Sequence, residues 1–277
     1  MLSRLSRGLT YLLAVLYAIV GLPLFFLPEQ LAPVFAWKVT PFMAMTIGGW
    51  CLGNAYLAYV SARRWSWDLV STSLLYLWLF GIFEVVILII FRDKLVLSHF
   101  VAWVYVLALV VNVITAVVGI WDWLRLRPAI RASGPAVPGI IRILPLGAVV
   151  FTGSIGVAAL VNPLGFWGTN GEIFPEPMSL FTLRSFGAFY LSLAMAVVPL
   201  LRYRSFSLFL NHIFSTLGFF ITITAAAFAY IRLFDFIGRP FGLLYMVAYV
   251  LVGIAVGIVL LKYGTGIHKQ QPSTVNA

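Results

Sequence analysis

Apolar runs of roughly bilayer-spanning length recur eight times along this chain, and hydrocarbon offers their peptide groups no water to bond, so each run must close its hydrogen bonds internally as a helix. The runs fall at about residues 9–27, 40–62, 68–91, 98–121, 139–161, 178–201, 206–230 and 241–262. Membrane-spanning strands would need segments of about ten residues that alternate apolar and polar, and that pattern is absent. The sequence therefore predicts an all-α, polytopic membrane protein with eight transmembrane helices. Charged residues make up 9% of the chain and apolar ones 62%, whereas a water-soluble surface ordinarily needs about 25% charged residues. The first run follows Arg4 and Arg7 as in a secretory signal, but it is too long for a signal core. It ends in Leu-Pro-Glu-Gln without a small-residue cleavage pattern, and reads as the first spanning helix.

The formal charge of +10 does not indicate a nucleic-acid partner, because the basic residues sit between apolar runs and form no patch interleaved with polar surface. They are arranged by topology instead. Arg4, Arg7, Arg63, Arg64, Arg125, Arg127, Arg131, Arg142, Arg202, Arg204, Lys262 and Lys269 fall on one side, twelve of the 18 Lys and Arg. The other side keeps Lys38, Arg92, Lys94, Arg184, Arg232 and Arg239. Lys and Arg are retained on the cytoplasmic side, which predicts that both termini are cytoplasmic, in a cell membrane of bacterial type. Residues 122–138, the most polar and Pro-rich internal stretch, read as a basic cytoplasmic linker. It would join a four-helix repeat at 1–121 to a second at 139–264, with a polar tail at 265–277.

That division matches an internal similarity. Residues 42–67 and 181–206 align without a gap, with identities at Phe42/Phe181, Gly48/Gly187, Leu52/Leu191, Ala55/Ala194, Arg63/Arg202 and Ser66/Ser205. Four crossings return the chain to its starting side, so the halves would form a parallel repeat about an axis along the membrane normal. Gly48, Gly49 and Gly53, with Gly187 and Ser192 in the second copy, would let helix backbones approach closely. Each half also opens alike, with Pro28 or Pro163 ending its first helix before an aromatic connection. Trp37 and Trp167 in those connections are expected at the lipid headgroups, where an amphipathic ring is comfortable.

Few residues offer chemistry. Glu84 is flanked by apolar residues within the third run, where a carboxylate must be protonated, paired or wet. Arg184, near the start of the sixth run, lies at the same expected depth, about 10 Å below the outer surface at 1.5 Å rise per residue. Together they read either as an ion pair that orients two helices or as a substrate, proton or headgroup site in the outer leaflet. Asn54 and Asn112 complete this candidate intramembrane polar set, with amides that can bond between helices. Cys51 is the only cysteine and reads as a buried packing residue. His99, His212 and His268 fall at different depths and define no metal or bis-histidine site. Catalytic and nucleotide-binding motifs are absent, and no lysine sits at mid-depth for a retinal Schiff base.

The stretches Pro41–Ala58 and Pro177–Ala196 each resemble the second helix of DoxX-like small membrane proteins, four-helix units with a Gly-centred and often Arg-preceded second helix. Arg184 supplies that arginine in the second copy, whereas Met45 stands in the first. The resemblance implies a helical membrane fold and, for some relatives, association with quinone-linked redox complexes. It carries over no catalytic residue. The expected function is that of a non-catalytic membrane protein. It would serve as an accessory or scaffold subunit, or bind a lipophilic molecule such as a quinone, carotenoid or lipid. The expected partners are membrane lipid and other membrane subunits or a second copy. The alternative is a transporter or lipid-active enzyme working at Glu84 and Arg184.

Overall fold

A computed structural model describes residues 1–130, 137, 139–163, 175–203 and 205–263. All its regular elements are helical: α1 (Arg4–Phe26), the one-turn α2 (Pro28–Leu31), α3 (Pro41–Arg63), α4 (Trp67–Ile90), α5 (Phe100–Leu126), α6 (Ile143–Val161), α7 (Leu180–Arg202), α8 (Phe206–Ala229) and α9 (Phe241–Tyr263). Ser3, Thr40, Ser179 and Ser205 cap α1, α3, α7 and α8, each accepting from the amide three residues on, which satisfies donors that a helix start leaves open. The Ser3 cap starts α1 five residues ahead of its apolar run. At the other boundary α5 runs to Leu126, into the segment expected as linker, and ends where Arg127 turns left-handed at φ 41°. Residues Gly139–Arg142 form a 3-10 turn ahead of α6. The 265–277 tail and Trp167 lie outside the described residues.

Seven of the long helices are long and apolar enough to cross a membrane; the class this defines is a helical, multi-pass membrane protein. The remaining one, α3, carries Thr46, Asn54, Ser61 and three glycines. It is also deeply enclosed, with 17 of its 23 residues buried, so its polar groups face protein.

Close backbone contact sets the arrangement. A Cβ on Gly48 would lie 2.5 Å from the Phe25 amide nitrogen, and one on Gly21 2.8 Å from that of Leu52, so α1 and α3 touch backbone to backbone. In the second half a Cβ on Gly156 would lie 2.6 Å from the Leu191 nitrogen, and one on Gly187 3.0 Å from the Gly156 carbonyl oxygen. Gly48/Gly187 and Leu52/Leu191 are aligned pairs of the internal similarity, so the α1–α3 and α6–α7 seams are built at matching positions. Helices α3 and α8 pack together, as do α4 and α7, and these four form the middle of the bundle. Gly53 makes room for the Phe219 ring and Gly49 for Thr222. On the flank, α5 exposes Phe100, Trp103, Leu107, Val110, Ile114, Val117 and Trp121, a row at alternating three- and four-residue spacing that suits hydrocarbon.

The two ends of the bundle differ. At the basic end Arg7 Nε donates to the Ala62 carbonyl (2.8 Å), Trp65 Nε1 to Leu2 (3.2 Å), and the Ser3 amide and Ser6 hydroxyl to Asp122. Phe206 and Tyr263 meet edge to face at 5.0 Å. At the opposite end residues 28–40 fold back into the bundle. Trp37 is 3% exposed, stacks on Phe181 at 4.4 Å and touches Phe35 and Tyr105. This corrects the expected headgroup position of Trp37: its indole N–H is satisfied inside the protein by Thr182 Oγ1 at 3.1 Å, so burial leaves no orphan donor.

Gly48→Ala should destabilise the protein by about 1–3 kcal/mol through overpacking against backbone that cannot yield. Gly147→Ala, with open space at its Cβ, should be neutral or stabilising by up to about 1 kcal/mol. Thermal unfolding of both variants in the same detergent checks the contrast.

Candidate functional site

Glu84 is 1% exposed and projects from α4 into the space between α5 and α7. Tyr105 Oη donates to its Oε1 at 3.0 Å. The Ser185 hydroxyl lies beside it, yet neither Ser185 Oγ nor Glu84 Oε2 has a partner of normal hydrogen-bond geometry. The Phe35, Trp37 and Tyr105 rings close this chamber toward the end opposite the basic one, Tyr105 lying 5.1 Å from Phe35 and 5.5 Å from Trp37. Above that plug is an open recess of about 460 Å³ lined by Glu29, Pro33, Phe35, Trp37, Lys38 and Val96, among others.

Arg184 does not join Glu84. Its guanidinium donates to the carbonyls of Ala159 and, at 2.9 Å, Asn162, at the C-terminal end of α6, where helix carbonyls lack amide partners and a cation is favoured. Among the described residues the one ion pair is Lys94 with Asp93, at the surface. Equal depth thus placed acid and base on different neighbours: Glu84 faces phenol and hydroxyl groups, and Arg184 caps the adjacent helix.

The two asparagines are fully buried. Asn112 Nδ2 donates to Tyr17 Oη at 2.7 Å, while its Oδ1 is unpartnered. Gly81 admits this amide, since a Cβ there would come within 2.5 Å of its carbon. Asn54 lies beside Tyr76, yet neither end of its amide nor the Tyr76 hydroxyl has a partner of normal hydrogen-bond geometry. A Cβ on Gly48, Gly49, Gly53 or Gly187 would come within 2.5, 3.3, 2.1 and 2.7 Å of a neighbouring helix, whereas the buried Ser192 hydroxyl is unpartnered.

Sequence reasoning missed the tyrosines. Tyr17, Tyr76 and Tyr105 surround Asn112, Asn54 and Glu84, and one signal was available: Tyr76, Phe80 and Glu84 recur at four-residue spacing on one face of α4. His212 is buried between α8 and α4, where its Nδ1 meets Thr72 Oγ1 at 3.1 Å. In the second half Tyr190 and Tyr249 share a 2.8 Å hydrogen bond. No group of three or more His, Cys, Asp or Glu among the described residues could hold a metal ion. Cys51 is buried, as expected of a packing residue.

No family model, no curated protein and no solved structure matches this chain. What the site can do is therefore read from its own chemistry.

Because Glu84 and Arg184 have separate partners, Glu84→Gln and Arg184→Gln should be additive in stability to within about 0.5 kcal/mol. Loss of the α6 cap should itself cost about 1–2 kcal/mol. A double-mutant cycle by thermal unfolding measures both, and a coupling of several kcal/mol would restore the ion pair.

Proposed function

We propose that this protein is a non-catalytic membrane scaffold, an accessory subunit built as two like-oriented four-helix units that all cross the bilayer, α3 included. The observation that carries the reading is that buried and partly buried hydrogen bonds join the halves at every level. At the outer end Trp37 bonds Thr182 and Thr40 bonds Glu176. At mid-depth Thr222 donates to the Gly49 carbonyl at 2.8 Å, and Ser73 meets Ser215 at 2.8 Å. Toward the basic end Asn211 Nδ2 donates to Leu69 O at 2.6 Å and Arg64 Nη1 to Asn211 Oδ1 at 2.8 Å. Alternating access by rocking one half against the other would have to break most of these at once. Their number and spacing favour a rigid body over the transporter reading.

The matched glycine seams support the duplication. So does the shared order of helix, 3-10 turn and helix, Trp67–Ile90, Arg92–Lys94 and Phe100–Leu126 against Phe206–Ala229, Ile231–Leu233 and Phe241–Tyr263. Phe206 against Tyr263, and Arg7 against Ala62, support chain ends that share the basic, cytoplasmic face of a plasma membrane. A DoxX-like ancestry for each unit belongs to the same reading. The apolar rows on the flanking helices suit lipid, a second copy or a neighbouring subunit. The outer recess, with its apolar floor, suits part of a lipophilic molecule such as a lipid or quinone. An enzyme or transporter at Glu84 and Arg184 would need one shared site, and their separate partners weigh against it.

Spin labels on Leu12 in α1 and Leu244 in α9, both exposed, test the rigidity. Pulsed dipolar spectroscopy in lipid nanodiscs should give one narrow distance distribution that inward- and outward-directed pH gradients leave unchanged. Two exchanging populations would favour the transporter.

A further inference from the structure

At the basic end of the seam between α1 and α3, four side chains form one connected surface cluster. The Arg7 guanidinium lies over the Tyr11 ring, 5.8 Å from its centroid. Tyr11 meets Tyr59 edge to face at 6.3 Å, and Arg63 Nη1 donates to Tyr59 Oη at 3.4 Å. Arg7 is anchored at one edge, because its Nε donates to the Ala62 carbonyl at 2.8 Å. That leaves its two terminal nitrogens to an acceptor from outside. Arg7, Tyr59 and Arg63 are exposed, and so is Arg4, one turn earlier on α1. A Cβ on Gly8, between Arg4 and Tyr11, would meet nothing within 4 Å, so space is open beside the cluster.

We propose that Arg7, Tyr11, Tyr59 and Arg63 form the headgroup site for one anionic phospholipid, such as phosphatidylglycerol, whose acyl chains lie along the exposed row of α1.

The cluster is positive and contains no acid. Asp122, the carboxylate that α1 meets at this end, is held by the Ser3 amide and the Ser6 hydroxyl, and neither Arg7 nor Arg63 makes an ion pair among the described residues. Guanidinium groups bind phosphate oxygens through paired N–H donors, and phenol rings suit the depth at which headgroups meet acyl chains. A zwitterionic lipid would bring an ammonium with no carboxylate to receive it, whereas an anionic one brings only the charge that the cluster complements. The adjoining surface selects a lipid over a free anion. On α1, Leu12, Val15, Ile19 and Leu22 are exposed at three- and four-residue spacing, so an apolar row continues from the tyrosines into the membrane. Charge alone does not define the site. Counted from the seam glycines, Gly21 with Gly48 and Gly156 with Gly187, Arg142 and Arg202 stand where Arg7 and Arg63 do, but Leu146 and Val198 stand in place of Tyr11 and Tyr59. The second seam therefore carries the matching arginines without the rings. The proposal rests on the bundle crossing a bilayer with its basic end at one face, and it holds whether or not that bundle is a rigid scaffold.

The test uses the full chain, purified in detergent and stripped of lipid, and counts bound lipid by native mass spectrometry. Dioleoyl phosphatidylglycerol should fill one site at about a tenth of the concentration that dioleoyl phosphatidylcholine requires. Arg7→Gln combined with Arg63→Gln, eluting as folded protein, should remove that preference. Arg202→Gln combined with Lys262→Gln, which removes two exposed charges at the same end, should keep it. Inorganic phosphate in excess should leave the bound phosphatidylglycerol in place. Equal binding of the two lipids by the wild type overturns the proposal without any variant, and so does a preference that survives the loss of Arg7 and Arg63. An equal loss in both double variants also overturns it, by revealing diffuse charge attraction, as does release of the lipid by phosphate, which marks a small-anion site. Lipid retention is read separately from the spin-label distances, so failure of this site and failure of the scaffold are distinguishable.

Discussion

Helices in hydrocarbon gain little from hiding apolar side chains, because lipid tails are as apolar as leucine, so their association depends on close van der Waals approach and on bonds between polar groups. This bundle depends first on that approach. Where Gly21 meets Leu52 and Gly156 meets Leu191, the backbones lie too close for any side chain between them. The pairings α1 with α3 and α6 with α7 follow. They leave α3, α4, α7 and α8 to fill the centre, where polar residues can be sheltered. The order of causes runs from small residues to backbone contact to an enclosed interior.

That interior is not divided evenly. The first half holds the acid, both buried asparagines of the candidate set and three of the tyrosines near them. The second half supplies Ser185, Ser192 and Ser215 across the seam, and keeps its own tyrosines, Tyr190 and Tyr249, bonded to each other. The two sides of the bundle therefore carry different side chains at its centre. The carboxylate sits against the junction, where groups from α4, α5 and α7 converge. Arg184, the other charge at that depth, is turned away to the end of α6.

The fold was legible in the sequence to the extent that it followed from solvent. Runs of apolar residues located every long helix, because hydrocarbon leaves a peptide chain few alternatives. Helix ends were less legible, since they depend on single caps: the Ser3 side chain started α1 ahead of its apolar run, and Arg127 ended α5 beyond the expected boundary. The candidate site was half legible. Glu84, Asn54 and Asn112 stood out by their cost in an apolar run, and all three are buried and grouped. Arg184 stood out equally, but depth along a helix says nothing about rotation around it, and only the packing of α6 against α7 revealed the carbonyls it serves. Tyr17, Tyr76, Tyr105 and Trp37 went unread as site residues because an aromatic ring in a membrane helix resembles ordinary packing, and only its hydroxyl or indole nitrogen gives another purpose.

The fold-back of residues 28–40 constrains how the molecule is made. Trp37 rests on Phe181 and bonds Thr182, residues about 145 positions later in the chain, so its seat does not exist while the first four long helices are entering the bilayer. During synthesis the indole must wait near the membrane surface, as its amphipathic character permits, until α7 arrives. The mouth of the first half is then closed by a contact with the second, once α7 is in place. Translation order thus delays the sealing of the Glu84 chamber until the later unit has been inserted.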